Sequence, residues 1–407
     1  AFWQALESGE RSGVTSYGAS GIGLVSVRLK NIVNMQYHGD ITIGGQSLRA
    51  LYDTGSFDVI TLSSLCKTCH VDRVRYDSGK SESFKESGRG PMVMRFGSGA
   101  IKAEQDVEDI RLGDASSAAR VSGMPFWQVI EHTMPFWETQ TGGQFSAIVG
   151  LCHPAEVPLS LALGNARDTV LERLKIHRFA FCLPSSGAGV EDGWLTVGLP
   201  ASAVSSGFVS VPLLSGRSWA VELTAPRLGG EALGACAPTC AALVDSGSSL
   251  LLVPQAVMTA LENAIARSPP SDDCSDVSGL PPLEFELGGA KISLPPEAYM
   301  VEDTSFGVML SSCKPAVAAV QRSSSAGPLW SLGLPFLRRY HTIFDRSGPR
   351  LHIGASGAPC GAPATLVARH APSAVHLVGR RGAALRADSR YARLPTWASN
   401  ASAPMEL

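Results

Sequence analysis

No stretch of this chain approaches the ~18 consecutive apolar residues that a membrane-spanning helix requires. Charge is scarce too. Asp, Glu, Lys and Arg make up 17% of the 407 residues, and 34 basic against 36 acidic side chains leave a net charge of −2. No basic stripe runs through the first 360 residues, so the electrostatic footprint of a nucleic-acid binder is missing there. G-x-S-x-G does not occur, which removes the serine nucleophile elbow. None of the nine histidines falls in H-E-x-x-H, which removes the helical zinc-hydrolase site. The first residues carry no signal-peptide pattern, and any such segment is expected to have been removed before Ala1.

What the chain does have is turn chemistry. There are 42 glycines and 26 prolines, many between short β-branched runs, in a sequence that is 44% hydrophobic. That composition predicts a β-rich globular protein, and the length allows two or three domains.

Two short segments nearly repeat each other. Leu51-Tyr52-Asp53-Thr54-Gly55-Ser56 and Leu243-Val244-Asp245-Ser246-Gly247-Ser248 each set one aspartate after two strand-type residues and before a small hydroxyl residue and a glycine. A lone triplet of this kind carries little weight in a chain of this size. Here each is followed by an apolar pair ending in glycine: Ala147-Ile148-Val149-Gly150-Leu151 and Trp330-Ser331-Leu332-Gly333-Leu334. Gly150 lies 97 residues after Asp53, and Gly333 lies 88 after Asp245. The two halves therefore follow one plan, each giving one carboxylate to a shared site.

These segments resemble the pepsin family of eukaryotic aspartic proteases over roughly residues 24 to 360. Residues 37–44 resemble that family's N-terminal strand pair, and residues 336–345 the segment before its last strands. The resemblance implies an all-β, bilobal fold with few short helices and a cleft between two pseudo-symmetric lobes. The implied domains are an N-terminal arm or residual prosegment (1–23), a first lobe with the flap (24–187), a second lobe (188–360), and an Ala/Arg-rich tail (361–407). The tail holds six arginines and the sequon Asn400-Ala401-Ser402, and is expected to be disordered. The implied activity is endopeptidase, made as a zymogen, acting on a peptide or protein substrate as a monomer without cofactor or metal. The implied compartment is the secretory pathway, outside the cell or an acidic vesicle. A catalytically weak or inactive peptide-binding protein on the same fold is the alternative.

In the family, two such aspartates activate a water between them, and Asp53 and Asp245 occupy those positions. Two close carboxylates cannot both be charged, so they share a proton. Gly55 and Gly247 are expected to permit a tight turn. By resemblance Thr54 and Ser246 hydrogen-bond across the dyad, and Ser56 and Ser248 bond the outer carboxylate oxygens. Residues 92–101 resemble the flap hairpin, with Gly97, Ser98 and Gly99 at its tip. Phe96 stands where most members have tyrosine, Ile60 where its tryptophan partner lies, and Phe57 where serine is common. Leu51, Phe96, Phe145 and Ile148 are expected to line an apolar pocket on the acyl side, favouring bulky hydrophobic side chains. Ser218, where pepsin has tyrosine, would open the leaving-group side.

Nine cysteines point to an oxidising compartment. The resemblance implies Cys66–Cys69, Cys236–Cys240 and Cys274–Cys313, with Cys182–Cys360 as in some members and Cys152 left over. Cys66-Lys67-Thr68-Cys69-His70 is formally a haem-attachment pattern, and C-x-x-C also suits a redox pair. No helical periodicity follows it, and it falls where the family has a disulfide. Local patterns predict helices within 169–177 and after Pro254, a buried strand at 179–183, a crossover at 184–193 and an exposed loop at 268–279.

Overall fold

The computed structural model describes residues 22–69, 74–134, 137, 145–152, 169–184, 191–215, 218–303 and 312–354. The tail, Cys360, most of the N-terminal arm and residues 185–190 of the crossover lie outside them. Strands dominate, in the all-β architecture expected. The first half runs β1 (Val25–Ile32), β2 (Gln36–Ile43), β3 (Gln46–Asp53), β4 (Val59–Leu62), β5 (Lys85–Phe96), β6 (Gly99–Leu112), β7 (Arg120–His132) and β8 (Ala147–Gly150), then helix α1 (Val170–Arg173) and β9 (Arg178–Cys182). Next come β10 (Gly193–Val197), β11 (Phe208–Pro212), β12 (Ala220–Leu228), β13 (Glu231–Ala232), β14 (Cys240–Val244), β15 (Leu251–Val253) and helix α2 (Gln255–Arg267). The remainder is β16 (Leu283–Leu287), β17 (Ala290–Leu294), α3 (Pro296–Tyr299), β18 (Met300–Asp303), β19 (Ser312–Pro315), β20 (Val317–Ala319), β21 (Ser323–Ser324), β22 (Gly327–Leu332), α4 (Leu334–Leu337), β23 (His341–Asp345) and β24 (Arg350–Gly354).

The two halves repeat one pairing scheme. In the first, β3 lies parallel to β8, β8 antiparallel to β4, and β4 parallel to β7. In the second, β14 lies parallel to β22, β22 antiparallel to β15, and β15 parallel to β20. The repeated apolar-glycine signals are therefore the strands β8 and β22, each beside an aspartate-bearing strand. Their glycines are steric necessities. A Cβ on Gly150 would collide with the backbone of Phe57 and Asp58, and one on Gly333 with the carbonyls of Ser248 and Leu250.

One sheet, in the order β11-β24-β23-β9-β10-β1 and onward through the first half, takes strands from both halves. Stacked rings fill its core: Phe179 and Phe344 lie 4.8 Å apart at 3°, with Trp219 edge-on to both. Across β9 and β23, Arg178 Nε reaches Asp345 Oδ2 at 2.7 Å.

Both helical readings hold, the first in shortened form. Thr169 caps α1 through its hydroxyl, and Val170 and Leu171 are buried. Pro254 precedes α2, which buries Val257, Leu261 and Ala264, while Ile265 is only partly covered. Residues 268–279 form a mostly exposed loop that buries Val277. Cys66–Cys69, Cys236–Cys240 and Cys274–Cys313 are disulfides. Cys182 is also disulfide-bonded, and Cys152 is buried.

Candidate active site

β3 and β14 end at the two aspartate loops, and four hydrogen bonds tie those loops together. Thr54 N donates to Ser246 Oγ at 3.0 Å, and Ser246 N to Thr54 Oγ1 at 2.9 Å. Thr54 Oγ1 donates to the Val244 carbonyl at 2.8 Å, and Ser246 Oγ to that of Tyr52 at 2.7 Å. The pattern is two-fold symmetric, and both residues are buried. Every hydroxyl thus donates once and accepts once, as a buried hydroxyl must to be fully matched.

The lock brings each carboxyl group against the glycine of the opposite loop, Asp245 beside Gly55 and Asp53 beside Gly247. Asp53 Oδ1 accepts from Gly55 N at 2.8 Å, and Asp245 Oδ1 from Gly247 N at 3.0 Å. Burial pushes both carboxyls above the ordinary range. For Asp245 the charge of Asp53 adds to burial and raises it well above. For Asp53 the Ser56 hydroxyl and the amides of Gly55 and Gly247 oppose the rise. The two carboxyls titrate as a unit that holds one proton above the ordinary carboxylate range.

Gly55 and Gly247 lie in the turns that follow the two aspartates, as expected, though without positive φ; what they add is room. A Cβ on Gly55 would sit 2.7 Å from Asp245 Oδ1, and one on Gly247 closer still to Asp53 Oδ1. Each glycine makes way for the opposite carboxylate. One expectation changes at Ser248, whose hydroxyl donates to the Leu250 carbonyl at 2.9 Å rather than to Asp245. That loop carbonyl is two residues away and captures the hydroxyl. Ser331 on β22 instead points at Asp245 Oδ2, at 3.5 Å. Sequence reading passed over Ser331, although a lone hydroxyl residue within the apolar Trp330–Leu332 signal was visible. Ser56 Oγ is buried beside Asp53 but falls short of full hydrogen-bond geometry.

β5 and β6 form the antiparallel hairpin at the position expected of the flap, with Phe96 opposite Gly99 and Gly97 and Ser98 at the tip. Met92, Met94 and Phe96 face inward and Val93 and Arg95 outward, the two-residue period of a strand. The inward side chains pack on a buried cluster that includes Leu51, Ile60, Trp127, Trp137, Phe145 and Ile148. Leu51 on β3 lies directly opposite Ile148 on β8. Trp127 sits opposite Ile60 on the adjacent parallel strand, so an indole enters this cluster from β7 although position 60 lacks one. Phe57 packs, partly buried, against the main core. Ser218 is 1% exposed, just before β12, and so is not presented on an open wall.

Comparison with known proteins agrees with this geometry. The family model described as eukaryotic aspartyl protease matches residues 36–356. The chain is 28% identical to cathepsin D of Homo sapiens over 344 residues, 79% of this chain and 81% of the relative. It is 26% identical to gastricsin of Callithrix jacchus over 371 residues, covering 86% and 88%. It is 25% identical to pepsin A of Sus scrofa over 342 residues, covering 80% and 82%.

Proposed function

The chain belongs to the eukaryotic aspartyl protease family, and from that premise we propose that it is an active aspartic endopeptidase using Asp53 and Asp245. The observation that carries this reading is the reciprocal lock of Thr54 and Ser246, which holds together two buried carboxyls, each accepting from the glycine N–H of its own loop. A chain that only bound peptides would have no need to keep two buried carboxyls in contact.

In the proposed reaction, ionised Asp53 takes a proton from a water lying between the carboxyls, and the water oxygen attacks the scissile carbonyl carbon. Asp245 gives its proton to the carbonyl oxygen. The tetrahedral diol then collapses as a proton passes to the leaving nitrogen and the C–N bond breaks. Leu51, Phe96, Phe145 and Ile148 form the acyl-side pocket, which selects bulky hydrophobic residues by a few kcal/mol per group. An extended substrate lies across the proposed lobes, 24–187 and 188–360, with the flap over it. We place the enzyme in the secretory pathway, in keeping with its disulfides.

The test is cleavage of a mixed peptide library across pH 3 to 8, with and without a hydroxyl-bearing mimic of the tetrahedral intermediate, with Asp53→Asn as control. Mimic-sensitive cleavage between apolar residues, absent from the variant, is expected. A folded wild-type chain that cleaves nothing at any pH would instead make this a peptide-binding protein.

A further inference from the structure

The Cys66–Cys69 disulfide has a neighbour 63 residues further along the chain. One ring nitrogen of His132 and the two sulfurs all lie within 4.8 Å of one another. All three residues are buried, while Ser64, Leu65, Lys67 and Thr68 around them face solvent. The sulfurs therefore lie just beneath the surface. The loop is fastened to the end of β7: Lys67 N donates to the Ile130 carbonyl at 3.0 Å, and His132 N donates to Thr68 Oγ1 at 2.9 Å.

His132 in turn holds the segment on which the flap leans. Met134 N donates to His132 Nδ1 at 3.2 Å. Thr133 N donates to the Ala100 carbonyl at 2.9 Å, Ala100 N to Thr133 Oγ1 at 3.1 Å, and the Ser98 hydroxyl lies 4.0 Å from Met134 Sδ.

We propose that two-electron reduction of Cys66–Cys69 turns this cluster into a binding site for a thiophilic divalent cation of the zinc type, ligated by Cys66, Cys69 and His132, and that filling it loosens the flap. A low-molecular-weight thiol supplies the electrons. Two thiol molecules become one disulfide, and their two protons pass to the protein sulfurs. Metal binding then releases those two protons to solvent, because the ligands are thiolates. Two thiolates cancel the cation's charge, as a buried site requires. The C-x-x-C spacing, with its Cα atoms 5.5 Å apart, is that of zinc-binding cysteine pairs. Tetrahedral bonds of about 2.3 Å to sulfur and 2.0–2.1 Å to nitrogen set the ligand atoms roughly 3.5–3.8 Å apart; the ring nitrogen already lies within 4.8 Å of both sulfurs, which move apart once their bond is broken. His70, next in sequence, lies outside the described residues.

The link to the flap follows from the imidazole itself. If Nδ1 takes the metal, its lone pair is no longer available to Met134 N–H. If Nε2 takes it, the ring proton moves to Nδ1, which then cannot accept either. Both routes break the Met134 bond and free the segment beneath the flap tip.

The experiment uses the full chain at neutral pH with Co²⁺ as the probe. A water-soluble phosphine reduces the disulfides; its phosphorus takes oxygen from water, and the water's protons end on the sulfurs. One bound Co²⁺ with thiolate-to-cobalt charge-transfer absorption is expected in the reduced protein and none in the oxidised protein. Cys66→Ser/Cys69→Ser, which keeps every other cysteine, should lose the band, and His132→Ala should bind at least about tenfold more weakly. Hydrogen exchange at residues 92–101 should be several-fold faster in the metal-bound form than in the reduced, metal-free form. Equal binding by the oxidised protein, a band retained in the double-serine variant, or unchanged affinity in His132→Ala overturns the site. Unchanged flap exchange overturns the coupling. None of these readouts depends on proteolysis, so they stand or fall apart from the endopeptidase reading.

Discussion

Replacing Ser246 with alanine removes one oxygen and two hydrogen bonds, those from Thr54 N and to the Tyr52 carbonyl. Both orphaned groups belong to residues at most 1% exposed, so water does not replace the hydroxyl. Each unmatched buried group costs about 1–3 kcal/mol, so the variant should lose roughly 2–6 kcal/mol of stability. Thr54→Ser is the matched control. It keeps the hydroxyl, and so both bonds of Thr54 Oγ1, and deletes one methyl group, which costs about 0.5–1.5 kcal/mol. Urea unfolding followed by tryptophan fluorescence reads both, because Trp219 donates to the Leu151 carbonyl at 2.7 Å close to the first aspartate loop. The carboxyl spacing depends on the same bonds, so kcat should fall more than KM rises in Ser246→Ala. A loss under about 0.5 kcal/mol in Ser246→Ala, or an equal loss in Thr54→Ser, would refute the view that reciprocal hydroxyls hold the two halves in register.

Three further outcomes are expected. Burial raises both dyad carboxyls, so between the ordinary carboxylate pKa and the raised one the folded state holds a proton that the unfolded chain has given up; wild-type stability should therefore fall as pH rises through that window. Asp245→Asn should flatten that fall while abolishing cleavage, and parallel urea midpoints from pH 4 to 8 compare the two. At Asp345, burial pushes the carboxyl up but is outweighed by Arg178, Ser347 N and His352, which hold it below its ordinary value; Arg178→Ala should cost about 3–5 kcal/mol at neutral pH, a difference that shrinks as acid protonates Asp345, visible as converging midpoints below about pH 4. Phe96→Ala should lower kcat/KM by roughly 10- to 150-fold, matching ~1.5–3 kcal/mol of lost apolar burial, whereas Phe96→Tyr should change it less than about threefold, since Ile60 offers its hydroxyl no partner; steady-state kinetics on one apolar peptide separates them.

The aspartate loops were readable because their chemistry sits in consecutive residues. So was the duplicated plan, since Gly150 and Gly333 repeat at nearly equal distances and each passes too close to backbone for any side chain. What the sequence hid was which acceptor or neighbour the folded backbone sets beside each side chain. Ser248 looked like a partner for Asp245, but its hydroxyl bonds the carbonyl of Leu250, two residues on, once the loop takes its shape. Gly55 and Gly247 were legible as turn residues, a local property, whereas the room they leave for a carboxylate from the other half is not local. Trp127 entered the flap cluster unnoticed because its neighbour Ile60 lies 67 residues earlier on a parallel strand. His132 escaped in the same way, separated in sequence from the cysteines that the fold sets beside it.

The sheet that joins the halves also constrains how the chain is made. Its β9 edge is completed by β23 and β24, and those strands leave the ribosome long after β1, β9 and β10. The first lobe can condense early around its own β3–β8 pairing, but the shared sheet must wait, and non-local pairings of that kind close slowly. Until they close, β9 presents an unpaired row of amides and carbonyls beside Phe179 and Phe181, a template for another nascent copy. A chain terminated before His341 would keep that edge open permanently and is expected to aggregate rather than persist as a folded, shortened chain.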